Sequence, residues 1–156
     1  MRIAAILLLL AGLVGCARST DDYTEDLDGL CVGINDRFAN EMPFNGKNFG
    51  TSDLPTLDKR VEQIRNLRAE AAATPLPEEA TRPDDWLFNL DKLTEEMTTL
   101  ATAYKNAKPG SDLVLAMTIN IVDTVADDTG ISASRNGLTT CADTTSWRIF
   151  PKKAPQ

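Results

Sequence analysis

Trp86, Leu90, Leu93, Met97, Leu100 and Tyr104 fall at steps of 4, 3, 4, 3 and 4. That spacing puts all of them on one stripe of an α-helix, and a period near 3.5 suits packing at about +20° against neighbouring helices. Pro109-Gly110 stops the run, and Ser111 is placed to cap a following helix. Two earlier segments carry the same pattern. Leu27, Leu30, Cys31, Ile34 and Phe38 form a first stripe, with Asp22 followed by Glu25 as a capping box at its start. Gly29 and Gly33 weaken that helix by up to about 1 kcal/mol each. Leu54, Leu57, Val61, Ile64, Leu67 and Ala71 form the second, from Asp53 or Leu54 to about Ala73, with charges on the other face. Residues 40–53 are a loop punctuated by Pro43, Asn45-Gly46 and Gly50, and Pro75, Pro77 and Pro83 make 74–83 a stiff connector.

Residues 112–127 admit two readings. Leu113, Leu115, Met117, Ile119 and Ile121 alternate as in a strand, and the β-branched content agrees. No other segment offers a partner strand, however, and a lone strand leaves backbone groups unpaired. The preferred expectation is a nearly all-round apolar helix, central in a bundle and buried on most sides. A short helical piece near 131–136 and an Asn136-Gly137 turn follow, and Trp147, Ile149 and Phe150 can dock the C-terminal segment before Pro151-Lys152-Lys153. These pieces predict an all-α protein, a small four-helix bundle of up-and-down type in one domain.

The N-terminus has another character. Arg2 precedes an apolar run from Ile3 to Val14, about twelve residues where roughly twenty are needed to span a bilayer, so the run fits the h-region of a signal peptide. The ending Leu13-Val14-Gly15-Cys16 resembles the lipobox of bacterial lipoproteins. The resemblance implies cleavage before Cys16, diacylglyceryl transfer to its thiol and possible N-acylation by a palmitate-type chain. One acyl chain binds only marginally and two or more hold stably. The expected organisation is a signal peptide over 1–15, a lipidated cysteine and polar tether over 16–22, and a helical domain over 23–156.

Removing residues 1–15 takes away Arg2 and much of the apolar content. The remaining 141 residues carry a formal charge of −8 and are about 38% apolar, with Leu, Ile, Val and Phe near 21%. That is close to the ~20% below which a highly charged chain does not fold. Something beyond the core should stabilise it. Cys31 and Cys141 are the thiols left after lipidation of Cys16, in a compartment that permits disulfides. A bridge would close a 110-residue separation and remove about 4–5 kcal/mol of unfolded-chain entropy; two buried free thiols are the alternative.

Chemistry is sparsely signalled. The chain has no His, which removes Ser-His-Asp and Cys-His catalysis and His-ligated zinc. There is no nucleophile elbow, phosphate-cradling loop or Ser-x-x-Lys, so no catalytic residue, metal site or cofactor is expected. Asp26, Asp28 and Gly29 resemble part of a calcium loop, but Thr24 and Asn35 stand where its first and twelfth positions need carboxylates. Asp123, Asp127 and Asp128 could pair on one helix face, and a solvated helix C-terminus explains them more simply. Net negative charge argues against nucleic acid as a partner. Phe44 and Phe49, bracketing a turn-forming tip, are a possible partner-binding loop; the competing reading folds both rings under the loop as a satellite of the core.

With the lipobox and two cysteines in view, the mature part is similar to the small helical two-cysteine lipoproteins of actinobacteria, in its Asp/Thr/Ala-rich composition and its Gly137-Leu138-Thr139-Thr140-Cys141-Ala142 ending. The similarity implies an extracytoplasmic, lipid-anchored protein of the cell envelope, and carries over no functional residue beyond Cys16. The expected role is a non-enzymatic interaction or structural module that meets another envelope protein. The alternative is a carrier that opens an apolar cavity for a hydrophobic small ligand, near the 113–125 segment and a methionine-containing core.

Overall fold

Ser19, not Asp22, opens the first helix. Its hydroxyl accepts from the Asp22 N–H at 3.1 Å, and the Asp22 carboxylate accepts from the Ser19 N–H at 3.1 Å, a reciprocal capping box one turn ahead of the expected one. Ser19–Asp22, expected in the tether, are therefore the cap and first turn of α1, Thr20–Asp36. A computed structural model describes residues 18–44 and 48–150. The expected export signal and lipobox with Cys16, the expected Asn45-Gly46 turn and the Pro151-Lys152-Lys153 ending lie outside the described residues.

Among the described residues every regular element is helical. A π-helical turn, Arg37–Glu41, continues α1, and a 3-10 turn, Thr51–Asp53, leads into α2, Leu54–Ala73. The proline connector brings the chain to α3, Asp84–Lys105, and a turn with Gly110 at φ +90° leads to α4, Asp112–Arg135. A four-residue helix, α5, covers Thr139–Ala142, and a 3-10 turn, Thr145–Trp147, precedes the docked end. The four long helices are the predicted ones. The bounds of α2 match the expectation, and all six of its stripe residues are buried. Ser111 stands at the N-cap of α4, but its hydroxyl accepts from the Lys108 N–H at 3.1 Å and closes the preceding turn instead.

α3 packs against both α2 and α4, while α1 packs against α2 and α5. With a neighbour on either side, α3 sinks Trp86, Leu90, Leu93, Met97 and Leu100 completely, and only Tyr104 of the stripe stays half-buried. α4 settles the ambiguous segment as helix and runs without a break through 131–135. Its expected central position is not found. Ile119, Val122, Val125, Ala126 and Ala133 are buried, whereas Leu113, Val114, Met117, Ile121 and Ile131 face solvent. One covered side leaves a helix whose apolar residues go all round with an open stripe.

α4 ends in a Schellman turn. Gly137 takes φ +76°, Leu138 N–H donates to the Ala133 carbonyl at 3.0 Å, and Gly137 N–H donates to Ser134 at 3.1 Å. This reversal turns the chain back toward α1, where Cys141 meets Cys31 in a disulfide with Cα atoms 5.1 Å apart. Trp147 and Ile149 are buried, as docking of the tail requires.

The returning tail crosses α4 at Gly130, where a Cβ would sit 2.6 Å from the Ala142 carbonyl oxygen. Gly29, exposed on α1, has nothing within 4 Å of such a Cβ. Gly29→Ala should therefore raise unfolding free energy by about 0.5–1 kcal/mol, and Gly130→Ala should lower it by about 1–3 kcal/mol. Urea unfolding of the two variants checks this, and shifts of the same sign would contradict the crossing.

Candidate functional site

Arg60 is the residue that the helical pattern passed over. It lies three residues after Leu57 and four before Ile64, on the buried stripe of α2 rather than its charged face, and it is 2% exposed. That spacing was the signal available in the sequence. Its Nε–H donates to the Met42 carbonyl at 2.9 Å, Nη1 to the Ser146 carbonyl at 2.8 Å, and Nη2 to the carbonyls of Phe38 (2.8 Å) and Met42. The π-helical turn supplies part of this arrangement, since its i→i+5 closure from Arg37 to Met42 presents two carbonyls to one guanidinium. Aromatic rings complete it: the Arg60 Cζ lies 4.6 Å from the Phe38 centroid and 4.0 Å from that of Phe44. Burial pushes the guanidinium down to about 9, still protonated near neutral pH. Among the described residues no carboxylate reaches within 4.0 Å of it.

Beside Arg60 opens a cleft of about 430 Å³, walled by Phe38, Ala39, Phe44, Ser146 and Ile149. The Ser146 hydroxyl is buried and has no hydrogen-bond partner among the described residues. Asp143 and Arg148 also border the cleft. Asp143 is exposed and accepts from the Thr145 N–H at 3.2 Å.

Two carboxylates hold the segment that forms one wall. The Asp28 carboxylate accepts from the backbone N–H groups of Thr140 (2.7 Å) and Cys141 (2.9 Å) and from the Thr139 hydroxyl (3.1 Å). Burial pushes its pKa up, but these bonds outweigh it and hold it below the ordinary value. The fragment that resembled a calcium loop is thus a clamp on α5. Asp123 is buried, which corrects the expectation of a solvated helix end, because α4 continues for three turns beyond it. It accepts from Ile149 N–H at 2.6 Å, Phe150 N–H at 3.3 Å and the Arg148 guanidinium at 3.4 Å, while Asp127 takes Arg148 at 2.6 Å. Burial pushes Asp123 upward against the pull of these donors. Asn35 adds a third tie, accepting from the Trp147 indole at 2.5 Å and donating to the Thr140 carbonyl at 3.0 Å.

The Phe44 and Phe49 rings pack on the bundle. Phe49 is buried, its ring centroid 5.0 Å from that of Tyr104, whose hydroxyl donates to the Phe49 carbonyl at 3.0 Å. Phe44 is half-buried, 5.3 Å from Phe49, and covers Arg60. The open apolar surface lies elsewhere: Leu113, Val114, Met117 and Ile121 follow one line along the first half of α4, with Leu113 72% and Met117 59% exposed. Met97 is fully buried, and a cleft of about 400 Å³ borders the 113–125 segment, lined by Phe49, Tyr104, Leu115, Ile119 and Phe150 among others.

Among the described residues no three His, Cys, Asp or Glu side chains converge as a metal set requires, and no helix is long and apolar enough to cross a membrane. The chain matches no protein-family model, and neither a curated protein nor a solved structure is similar enough to count as a match.

Proposed function

We propose that this is a bacterial envelope lipoprotein, held at a membrane by acyl chains on Cys16, whose helical bundle acts by contacting an envelope protein rather than by catalysis. The observation that carries the contact is the solvent-facing apolar stripe of α4, Leu113, Val114, Met117 and Ile121. A contiguous exposed patch of this kind marks an interaction surface more often than a scatter of single residues does. The N-terminal end of α1 packs beside Asn136 and Leu138, at the far end of α4. At 1.5 Å per residue, Met117 stands roughly 30 Å along α4 from that end. A chain tethered through Cys16 would thus offer the stripe well away from its anchor. Net negative charge and the neighbouring Asp112 and Asp128 disfavour an anionic bilayer as the occupant. The disulfide supports an oxidising compartment.

The full chain tests both halves. Cys16→Ala should release the protein from the membrane fraction. A photo-crosslinking residue at position 117, illuminated in intact cells, should give a discrete protein adduct. Leu113→Asp combined with Ile121→Asp should abolish the adduct while changing stability by no more than about 0.5 kcal/mol, as expected for exposed positions. Membrane retention of Cys16→Ala contradicts the anchor, and an adduct indifferent to the aspartates contradicts the stripe.

A further inference from the structure

The buried Arg60 guanidinium and the Ser146 hydroxyl, which has no hydrogen-bond partner among the described residues, meet at one edge of the cleft. A guanidinium has five N–H donors. Four bonds are made here, one by Nε, one by Nη1 and two by Nη2, which leaves one Nη1–H without an acceptor among the described residues. Nη1 is the nitrogen bonded to the Ser146 carbonyl, and Ser146 is also the residue whose hydroxyl is orphaned. Backbone carbonyls offer Arg60 dipoles but no countercharge, so the site keeps a net positive charge in a poorly solvated position, an arrangement that is costly unless something offsets it. The second guanidinium on the cleft, Arg148, is already committed to Asp123 and Asp127.

We propose that this cleft binds a small amphipathic anion, with its carboxylate or phosphate at the Arg60–Ser146 edge and its apolar body against Phe38, Ala39 and Ile149. Charge chooses the head group: an oxyanion accepts from the spare Nη1–H and the Ser146 hydroxyl together, and charge-assisted bonds to arginine are the stronger kind. Shape and lining choose the body. A volume of about 430 Å³ falls within the range of small-ligand pockets, which combine apolar walls with a few convergent polar groups. Asp143, exposed at the rim, repels a second negative charge and so favours a ligand with one anionic end. The site depends neither on the Cys16 anchor nor on the α4 stripe, and its test leaves both untouched.

The test is calorimetric titration of the full chain in lipid nanodiscs, with empty nanodiscs subtracted. Four probes share one tail: hexanoate, hexyl phosphate, hexanol and hexylammonium. At least one anion should bind ten times more tightly than hexanol or hexylammonium. A preference for hexanoate identifies a carboxylate ligand such as a fatty acid, and a preference for hexyl phosphate identifies a phosphate head group. Ala39→Trp, at an exposed position on the rim, should fill the cleft and weaken the bound anion at least tenfold with thermal unfolding unchanged. Ser146→Ala should weaken it severalfold. Arg60→Lys keeps the charge but loses the fork, and should fall between wild type and Ala39→Trp. Equal binding of all four probes, or anion binding that survives Ala39→Trp intact, overturns the proposal.

Discussion

Replacing Cys31 and Cys141 together by alanine should lower the free energy of unfolding by about 3–5 kcal/mol. The bridge spans 110 residues, so it constrains nearly the whole unfolded chain, and loop-closure entropy grows with that length. Few other sources of stability are large here. The apolar content remaining after Cys16 is low, and a domain of this size has a total stability of about 5–15 kcal/mol. Cys31 is fully buried on the α1 stripe and Cys141 in α5, so the alanines also leave some space in the core. Denaturant unfolding of the oxidised wild type and of the double variant, each extrapolated to water with its own m-value, measures the difference. A loss under about 1 kcal/mol would mean that the Asp28, Asp123 and Arg60 bonds hold the tail without help from the bridge.

Asp123→Ala should cost a comparable amount, about 3–5 kcal/mol, the range for breaking a buried charged network by removing one member. Two backbone donors, Ile149 and Phe150, lose their acceptor, and Arg148 loses one of its two carboxylates while keeping Asp127 and the carbonyls of residues 123 and 150. The tail should loosen before the bundle does, which hydrogen exchange at 147–150 would register ahead of the α3 amides. Unchanged exchange at those amides would contradict the latch.

The two tail-holding carboxylates should respond to pH with opposite signs. The folded pKa of Asp28 lies below its unfolded value, so its contribution is present above the ordinary pKa of 3.8 and is lost as pH falls through the lowered folded value. Asp123 lies above its unfolded value, so its ionisation subtracts stability as pH rises from 3.8 through the raised folded value. Asp28→Asn should therefore cost less in acid than at neutrality, and Asp123→Asn should cost less at neutrality than in acid.

The helices were legible because the stripes of α2 and α3 repeat over five turns or more, and period alone decides which face is covered. The same logic failed for α4, where apolar residues occur all round the helix. Periodicity then says nothing about how many neighbours it has, and the exposed stripe emerged only from the packing. Cys31 and Cys141 could be paired by elimination, but the clamp that aligns them could not. Asp28 and Asp123 act on backbone N–H groups more than 20 residues away, and backbone donors leave no mark in a sequence. Arg60 was hidden for a related reason. A charged residue at a core position looks like part of the solvent face until the carbonyls of Phe38, Met42 and Ser146 are seen converging on it. For Phe44 and Phe49 the sequence offers a partner-binding loop or packing as a satellite of the core, and the rings pack: Phe44 roofs that arginine and Phe49 lies on Tyr104.

Anchoring and export together are best tested by the intact mass of the protein extracted from membranes of the cells that make it, recorded before and after reduction. A chain beginning at Cys16, carrying the added mass of at least a diacylglyceryl group, and gaining the mass of two hydrogen atoms from the reductant as Cys31 and Cys141 separate, is the predicted result. A chain that retains residues 1–15 with Cys16 unmodified, or one whose mass does not change on reduction, would contradict it.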